Sequence, residues 1–184
     1  MKAALKIIMM IALILYPFLV YAGLTVWDPL WVLCGVVMVL CARLALKATV
    51  PERLLMLGVI AGLLMISVFT NTLLGIKAYP VLMNLGFLGL FAFSLIRPPT
   101  VVERLARLQE PDLPESGVRY TRTVTQVWCG FFIVNAAISA WTALYADQAT
   151  WALYNGLIAY GLMGTLMSAE WLVRRKVKQR HARV

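Results

Sequence analysis

The chain has 184 residues, 62% of them hydrophobic, and its mean hydropathy is +0.83. Soluble proteins contain about 45–50% apolar residues, so this composition excludes an ordinary soluble domain and predicts an integral membrane protein. The net charge of +9 does not indicate a nucleic-acid partner, because cytoplasmic loops of membrane proteins collect lysine and arginine. We therefore expect no binding of nucleic acid, and we expect membrane lipids as partners.

The apolar segments predict an all-α fold. A transmembrane helix needs about 20 predominantly apolar residues, and the sequence holds about six such segments. We expect a polytopic membrane helix bundle that forms a single integral membrane domain over residues 1–184. The predicted spans cover residues 5–24, 30–46, 53–74, 79–96, 124–145 and 150–173.

The first span has a second interpretation. Lys2 and Lys6 precede an apolar run that ends in small residues, a pattern that also fits a cleavable signal peptide. We expect a retained transmembrane helix, and cleavage of residues 1–22 is the alternative.

Two helix starts carry the same capping signal. Thr49 with Glu52, and Thr100 with Glu103, have the three-residue spacing of a capping box, in which two side chains satisfy free backbone N–H groups. We expect the third span to begin at the first pair and a short cytoplasmic helix to begin at the second.

The basic residues determine the predicted orientation. With six spans, all but one of the 17 lysine and arginine residues fall on one side of the membrane, and only Lys77 falls on the other. Cytoplasmic loops carry the excess of such residues, so we expect a multi-pass protein with both termini in the cytoplasm. Residues 97–122 then form a cytoplasmic loop, and residues 174–184 form a basic cytoplasmic tail.

The long cytoplasmic loop contains a predicted amphipathic helix. Val101, Val102, Leu105 and Leu108 recur at helical spacing between charged residues, so we expect a short helix lying on the inner leaflet. Three roles are open for the loop: anchoring two spans against lipid head groups, docking a cytosolic partner, or catalysis, for which no acid, base or nucleophile is identifiable. The candidate docking residues are Glu103, Arg104, Arg107, Asp112, Arg119, Tyr120 and Arg122.

One face of the fifth span is polar. Asn135, Ser139 and Thr142 lie at positions i, i+4 and i+7, and polar groups in hydrocarbon must find hydrogen-bond partners. Either they make interhelical hydrogen bonds, or they line a groove for a ligand or a lipid-linked substrate. The candidate intramembrane polar cluster consists of Asn84, Asn135, Ser139, Thr142, Tyr154 and Asn155.

Few residues offer enzyme or metal chemistry. His181 is the only histidine, and Cys34, Cys41 and Cys129 lie in predicted spans without forming a CxxC pair. These facts disfavour histidine-dependent acyl transfer, a disulfide framework and a zinc site. We expect no catalytic residues, no metal and no cofactor.

A combination of residue groups in the second half of the chain carries a resemblance to a known family. These groups are 103–107, 111–114, 120–122 and 127–129, with Phe131, Phe132, Asn135, 151–156, Tyr160, Glu170 and Arg174. From Arg97 onward the chain resembles a poorly characterised family of small proteobacterial inner-membrane proteins. Members of that family are typically encoded beside ketosynthases, acyl carrier proteins and acyltransferases of aryl polyene (xanthomonadin-like pigment) biosynthesis. The resemblance implies the bacterial inner (cytoplasmic) membrane and a role in making, anchoring or moving a polyene lipid.

Two functional hypotheses follow. The first is a non-enzymatic accessory protein that organises lipid or aryl polyene biosynthesis, with its basic cytoplasmic face docking acidic partners such as acyl carrier protein. The alternative is a small transporter or flippase-like protein for a lipid or polyene product, with the polar cluster as its groove. The oligomeric state stays open at this point.

Overall fold

The computed structural model of the protein describes residues 15–45 and 49–181, and every regular element in these ranges is helical. In chain order the helices are α1 (Tyr16–Val26), α2 (Pro29–Ala45), α3 (Val50–Phe69), α4 (Thr72–Lys77), α5 (Tyr79–Ile96), α6 (Val101–Arg107), α7 (Glu115–Tyr145), α8 (Gln148–Leu153) and α9 (Ala159–His181). A π-helical segment, Tyr154–Ile158, joins α8 to α9. We call α8, this segment and α9 together the C-terminal helix. The predicted all-α fold is confirmed for these residues.

Four helices are long and apolar enough to cross a membrane. They are α3, α5, α7 and the C-terminal helix over Gln148–Arg174. Helices α1 and α2 are apolar but shorter, since about 20 residues are needed to cross the hydrocarbon. The described part of the chain therefore indicates a helical membrane protein with four membrane-length helices, where the sequence predicted about six spans.

Several predicted boundaries agree with the helices. The fourth span, 79–96, coincides with α5, the second, 30–46, lies within one residue of α2, and the fifth ends with α7 at Tyr145. Of the first span, 5–24, the part before residue 15 lies outside the described residues. The sixth span, 150–173, lies inside the C-terminal helix, whose backbone continues to His181 through much of the predicted basic tail.

Two predicted boundaries need correction. The third span, 53–74, is two helices, because α3 ends at Phe69 and the Asn71 side chain caps α4 by accepting a hydrogen bond from the Leu74 N–H at 2.8 Å. The predicted loop 97–122 is shorter, because α7 already begins at Glu115. Residues 115–122 therefore belong to a long helix that carries Arg119, Tyr120 and Arg122.

Both predicted capping pairs lie at helix starts: Thr49 with Glu52 forms a complete capping box, whereas Thr100 with Glu103 forms only the bond from the Glu103 N–H to the threonine side chain. At α3, the Thr49 N–H donates to Oε2 of Glu52 at 2.8 Å. At α6, the Glu103 N–H donates to Oγ1 of Thr100 at 3.2 Å. Each bond satisfies a backbone donor that the first helical turn leaves free, so local sequence determines where these two helices begin.

The short helix α4 is buried at one end of the bundle. Ile76 is fully buried and Lys77 is 6% exposed, and their carbonyl groups accept hydrogen bonds from neighbouring helices. The Tyr16 hydroxyl donates to Ile76 O at 2.7 Å, and Nε1 of Trp151 donates to Lys77 O at 3.1 Å. The last carbonyl groups of a helix have no partner within that helix. In α4 they accept hydrogen bonds from α1 and α8 and so connect these helices to it.

Lys77 itself takes part in this packed end. Its Nζ donates to the Ala146 carbonyl, at the end of α7, at 3.2 Å. Burial lowers the pKa of the Lys77 ammonium, and the charge of Asp147 opposes this shift. Hydrogen bonds from Thr150 in turn hold the pKa of the Asp147 carboxyl below its usual value.

Helices α5 and α7 pack through aromatic side chains. The rings of Phe87 and Phe132 stack at 5.6 Å, Phe91 meets Phe132 edge-on at 5.2 Å, and Trp128 lies 5.7 Å from Phe132. Offset-stacked and edge-on arrangements are the favourable geometries for such pairs. This aromatic group joins the two helices on the α6 side of Asn84 and Asn135.

The C-terminal helix packs tightly only at its start. Trp151, Asn155 and Ala159 are buried, whereas most side chains beyond Ala159 are exposed. Those that are half-buried recur every three or four residues and so form one face of α9: Tyr160, Met163, Leu166, Glu170 and Arg174. One face of α9 therefore turns to the bundle, and a cavity lies beside the part of that face nearest α8.

Candidate functional site

The polar face of α7 is buried against the rest of the bundle. Asn135, Ser139 and Thr142 are 4%, 0% and 3% exposed, so the helical spacing seen in the sequence turns all three inward. Helix α7 therefore supplies one wall of a polar cluster, and the other members come from α5 and the C-terminal helix.

The first branch of the cluster joins three helices. Nδ2 of Asn135 donates to Oδ1 of Asn84 at 3.0 Å, and the Tyr154 hydroxyl donates to Oδ1 of Asn135 at 2.9 Å. Asn84 completes its own bonding by donating to the Pro80 carbonyl at 2.7 Å. Asn135 thus bridges α5 and the C-terminal helix with both ends of one amide.

The second branch lies next to the first. Nδ2 of Asn155 donates to Oγ1 of Thr142 at 3.2 Å and to the Trp151 carbonyl at 2.9 Å. The Thr142 hydroxyl donates to the Ser139 carbonyl at 2.9 Å. Two buried atoms of this branch have no hydrogen-bond partner in the structure: Oγ of Ser139 and Oδ1 of Asn155.

The π-helical segment positions Asn155. A π-turn inserts an extra residue into a helix and is found frequently at functional sites. The next residue, Gly156, contacts the Phe18 ring of α1, and a Cβ at this position would lie only 2.5 Å from that ring. Any larger residue at position 156 would therefore force the Phe18 ring out of its place beside Asn155.

A cavity of about 240 Å³ borders the cluster. Its walls come from α1, α5, α7 and the C-terminal helix, and most of its surface is apolar. The lining residues are Tyr16, Pro17, Tyr79, Pro80, Met83, Asn84, Phe87, Phe132, Asn135, Asn155, Ala159, Tyr160 and Met163. An apolar cavity with a few polar groups in its wall is the usual form of a small-molecule site.

Sequence reasoning missed the tyrosines of this cavity. Tyr79 begins α5 and is 6% exposed, Tyr160 lies on the inward face of α9, and both line the cavity with Tyr16. A tyrosine at the end of a span is ordinarily assigned to the membrane interface. No local signal separates such a residue from one that faces a cavity.

The segment 97–122, which the sequence predicts to be cytoplasmic, is bonded internally. Nη2 of Arg107 lies 2.8 Å from Oε1 of Glu103, its Nε donates to the same oxygen at 2.9 Å, and its Nη1 donates to the Pro111 carbonyl at 3.0 Å. Glu103 is only 5% exposed. Glu103 is thus a buried carboxylate bound by the partly exposed guanidinium of Arg107, four residues further along the helix, and this arginine joins α6 to the turn before α7.

Other candidate docking residues also bind within the chain. Nε of Arg104 donates to Pro99 O at 3.0 Å, and Nη1 of Arg122 donates to Leu95 O at 3.2 Å. These bonds satisfy carbonyl groups around the end of α5. The side chains of both arginines remain exposed.

The last three candidate docking residues differ in their contacts. The Tyr120 hydroxyl donates to the Glu170 carbonyl and to its Oε1 at 3.3 and 3.4 Å, joining α7 to α9. Arg119 lies 3.8 Å from Glu115 with both side chains exposed. Asp112 is exposed in the turn. The segment thus presents exposed charges on an internally bonded backbone.

Helix α6 shows two distinct faces. Glu103 and Ala106 are buried against the protein, whereas Leu105 and Leu108 are 59% and 81% exposed. Exposed leucines beside exposed arginines are typical of a helix that lies at a membrane interface.

Among the described residues, no group of three or more His, Cys, Asp or Glu side chains lies close enough to hold a metal ion. Cys34, Cys41 and Cys129 are free thiols. The polar cluster offers neutral amides and hydroxyls, and these groups bind ligands by hydrogen bonding.

The fold and the buried polar cluster together describe a helical membrane protein with a cavity between its helices. Comparisons of the chain with protein-family models, with curated proteins and with solved structures found no match.

Proposed function

We propose that this chain is a non-enzymatic protein of a bacterial inner membrane that binds a lipid or polyene molecule in the cavity between α1, α5, α7 and the C-terminal helix. In this proposal it has about six spans with both termini in the cytoplasm, and it serves the assembly or movement of that molecule. The observation that carries the proposal is the cavity beside Asn135 and Asn155. Its apolar walls match a hydrophobic ligand, and its amides match a polar group on that ligand.

Access to the cavity supports a membrane-soluble ligand. Met83, Phe87, Tyr160 and Met163 line the cavity and are only half-buried, so one wall borders the surface that lipid covers. The volume of about 240 Å³ lies below the roughly 300–1,000 Å³ of typical small-molecule sites. The cavity therefore suits one end of a longer molecule, whose remainder extends into the bilayer.

Filling the cavity is expected to remove the ligand. Ala159 is buried and lines the cavity, so Ala159→Phe places a ring in the ligand space. We expect hydrophobic molecules that co-purify with the wild-type protein to fall by at least about tenfold, the factor that corresponds to about 1.4 kcal/mol of lost binding. The measurement is mass spectrometry of organic extracts from protein purified out of native membranes.

Ala169→Phe is the matched control, because Ala169 lies on the exposed face of the same helix. This variant is expected to retain the wild-type set of molecules. Equal retention in both variants would contradict the proposal. Metabolite profiling of a deletion strain then distinguishes a role in synthesis, where product is absent, from a role in transport, where product is misplaced.

The exposed arginines favour a second candidate function, the organisation of biosynthesis by docking an acidic partner such as acyl carrier protein. Arg97, Arg104, Arg119 and Arg122 are all exposed on the cytoplasmic segment. Complementary charge speeds and orients such encounters.

Charge reversal at two arginines tests the docking function. Arg119 is bound only loosely to Glu115, and Arg97 ends α5 with an exposed side chain, so Arg97→Glu with Arg119→Glu leaves the carbonyl-binding arginines intact. We expect recovery of acyl carrier protein with the purified protein to fall several-fold at low salt. Arg53→Glu at the exposed start of α3 is the control on the same predicted side, and equal recovery from both variants would exclude this docking surface.

A further inference from the structure

We propose that the molecule in the cavity carries an uncharged hydroxyl group that donates a hydrogen bond to Oδ1 of Asn155. This inference rests on the proposed cavity function and names the chemical class of its ligand.

The orientation of the Asn155 amide is determined by its neighbours. Its Nδ2 donates to the Trp151 carbonyl, which can only accept, and to the Thr142 hydroxyl, whose own hydrogen goes to the Ser139 carbonyl. Reversing the amide would place oxygen against oxygen at Trp151. The acceptor Oδ1 is therefore the end of the amide that these bonds leave open.

Oδ1 of Asn155 lacks the partner that a buried acceptor needs. The residue is 4% exposed, the atom has no hydrogen bond in the structure, and the side chain lines the cavity. Leaving a buried acceptor unpaired costs about 1–3 kcal/mol. A donor brought by a ligand would recover this energy, which makes Asn155 a selective contact.

Two tyrosines line the same cavity as Asn155. Tyr79 and Tyr160 both line the cavity, and neither hydroxyl hydrogen-bonds to any side chain or backbone group over residues 15–45 and 49–174. A phenolic hydroxyl can donate to a ligand oxygen. The residues that line the cavity thus include an acceptor, Oδ1 of Asn155, and two donors, the tyrosine hydroxyls. A hydroxyl group is the smallest ligand group that can donate a hydrogen bond to the acceptor and accept one from a donor.

Charged groups fit this wall poorly. Among the described residues, no lysine, arginine, aspartate or glutamate lines the cavity, and burying an ion without a counter-charge costs several kcal/mol. A carboxylate would also bring no donor to Asn155, and an ester or ether would leave its Oδ1 unpaired. The site therefore selects a hydrophobic alcohol over the acid, amine or ether of equal chain length.

The test uses four probes of one chain length: dodecanol, its methyl ether, dodecanoic acid and dodecylamine. Each probe is titrated into the full protein in detergent. Native mass spectrometry, in which the protein is released from the detergent, then counts the probe molecules bound at each concentration. We expect dodecanol to bind about tenfold more tightly than the ether, which corresponds to about 1.4 kcal/mol. Acid and amine are expected to bind more weakly than the alcohol.

Three variants assign the preference to the site. Asn155→Leu is expected to reduce the alcohol-to-ether ratio to about one. Tyr160→Phe keeps the ring and so preserves packing, but it removes a donor from which the alcohol and the ether oxygen can both accept, so it is expected to weaken the binding of both probes several-fold and to leave their ratio unchanged. Tyr145→Phe changes the same atom at a side chain that is 75% exposed and should leave the binding of both probes unchanged.

The outcomes separate the two proposals. Equal binding of alcohol and ether, or a preference that survives Asn155→Leu, would overturn the hydroxyl inference while leaving the cavity function intact. Binding of no probe at all, together with no loss of co-purified molecules in Ala159→Phe, would overturn both.

Discussion

Replacing Trp151 by alanine is expected to lower the free energy of unfolding by about 3 kcal/mol. Trp151 is 1% exposed, donates to the Lys77 carbonyl at 3.1 Å and meets the Tyr16 ring edge-on at 6.4 Å. Truncating a buried aromatic side chain costs about 3–5 kcal/mol in soluble cores. We take the lower end because exposed apolar surface is not penalised in lipid as it is in water. The measurement is SDS-induced unfolding of the purified protein in detergent micelles.

Two more variants separate packing from hydrogen bonding at this position. Trp151→Phe keeps a ring but leaves the Lys77 carbonyl without its donor, so we expect a smaller loss of about 1 kcal/mol. Trp141→Ala on the exposed face of α7, where the side chain is 57% exposed, is the control and should stay within about 0.5 kcal/mol of wild type. Equal losses at Trp151 and Trp141 would contradict the packed position of α8.

Replacing Gly75 by alanine is expected to cost about 1–3 kcal/mol of stability. The added Cβ would collide with Oγ of Ser67 and lie 3.0 Å from the Leu63 carbonyl. The Ser67 hydroxyl can rotate away, but the Leu63 carbonyl belongs to the backbone of α3, so α3 and α4 must separate. Because carbonyls of α4 also bind α1 and α8, the displacement weakens three contacts of this helix. Thermal unfolding in detergent measures the loss.

Gly58→Ala is the matched control for this substitution. A Cβ at Gly58 in α3 would have no neighbour within 4 Å, and alanine is the better helix former by up to about 1 kcal/mol. Ser67→Ala removes the nearest colliding atom, so the Ser67→Ala, Gly75→Ala double variant should recover part of the loss. If Gly75→Ala unfolds no more easily than Gly58→Ala, the close packing of α4 on α3 is wrong.

The helix boundaries show which parts of the fold can be predicted from the local sequence pattern. Helix α5 matches its prediction because an uninterrupted apolar run ends at Arg97 and a proline pair. The break after α3 was missed because Thr70 and Asn71 stand inside a longer apolar run, where a capping asparagine and a polar residue within a span look alike. Only the position of α4 against its neighbours shows that Asn71 begins a new helix.

The polar cluster was predictable in part. Spacing alone places Asn135, Ser139 and Thr142 on one face of a helix, and the structure buries that face. The sequence could not show that Asn84 binds Asn135, because the two residues lie 51 positions apart. The sequence also could not show that Oδ1 of Asn155 stays unpaired. That result depends on the fold, which directs the Nδ2 group of the same amide to Thr142 and to the Trp151 carbonyl.

The segment 97–122 shows the same difference between what the sequence predicts and what the fold decides. The i,i+4 pairing of Glu103 with Arg107 was visible in the sequence, and the two side chains bind at 2.8 Å. The burial of Glu103 was not visible, because it arises from the packing of α6 against α7. The use of Arg104 and Arg122 to bind backbone carbonyls also depends on the fold, and it leaves Arg119 as the cleaner site for a charge-reversal test.

Composition and local pattern alone determined that this chain is apolar, helical and suited to a membrane. They also determined where α3, α5 and α6 begin, because a helix start depends on residues within a few positions of it. The tertiary structure alone decided which polar groups meet, that Tyr79 and Tyr160 share a cavity, and that the carbonyls of α4 hold α1 and α8. Trp151 and the Lys77 carbonyl that it binds are 74 positions apart. Such contacts depend on how whole helices are placed, and a cavity exists only in the space that their packing leaves.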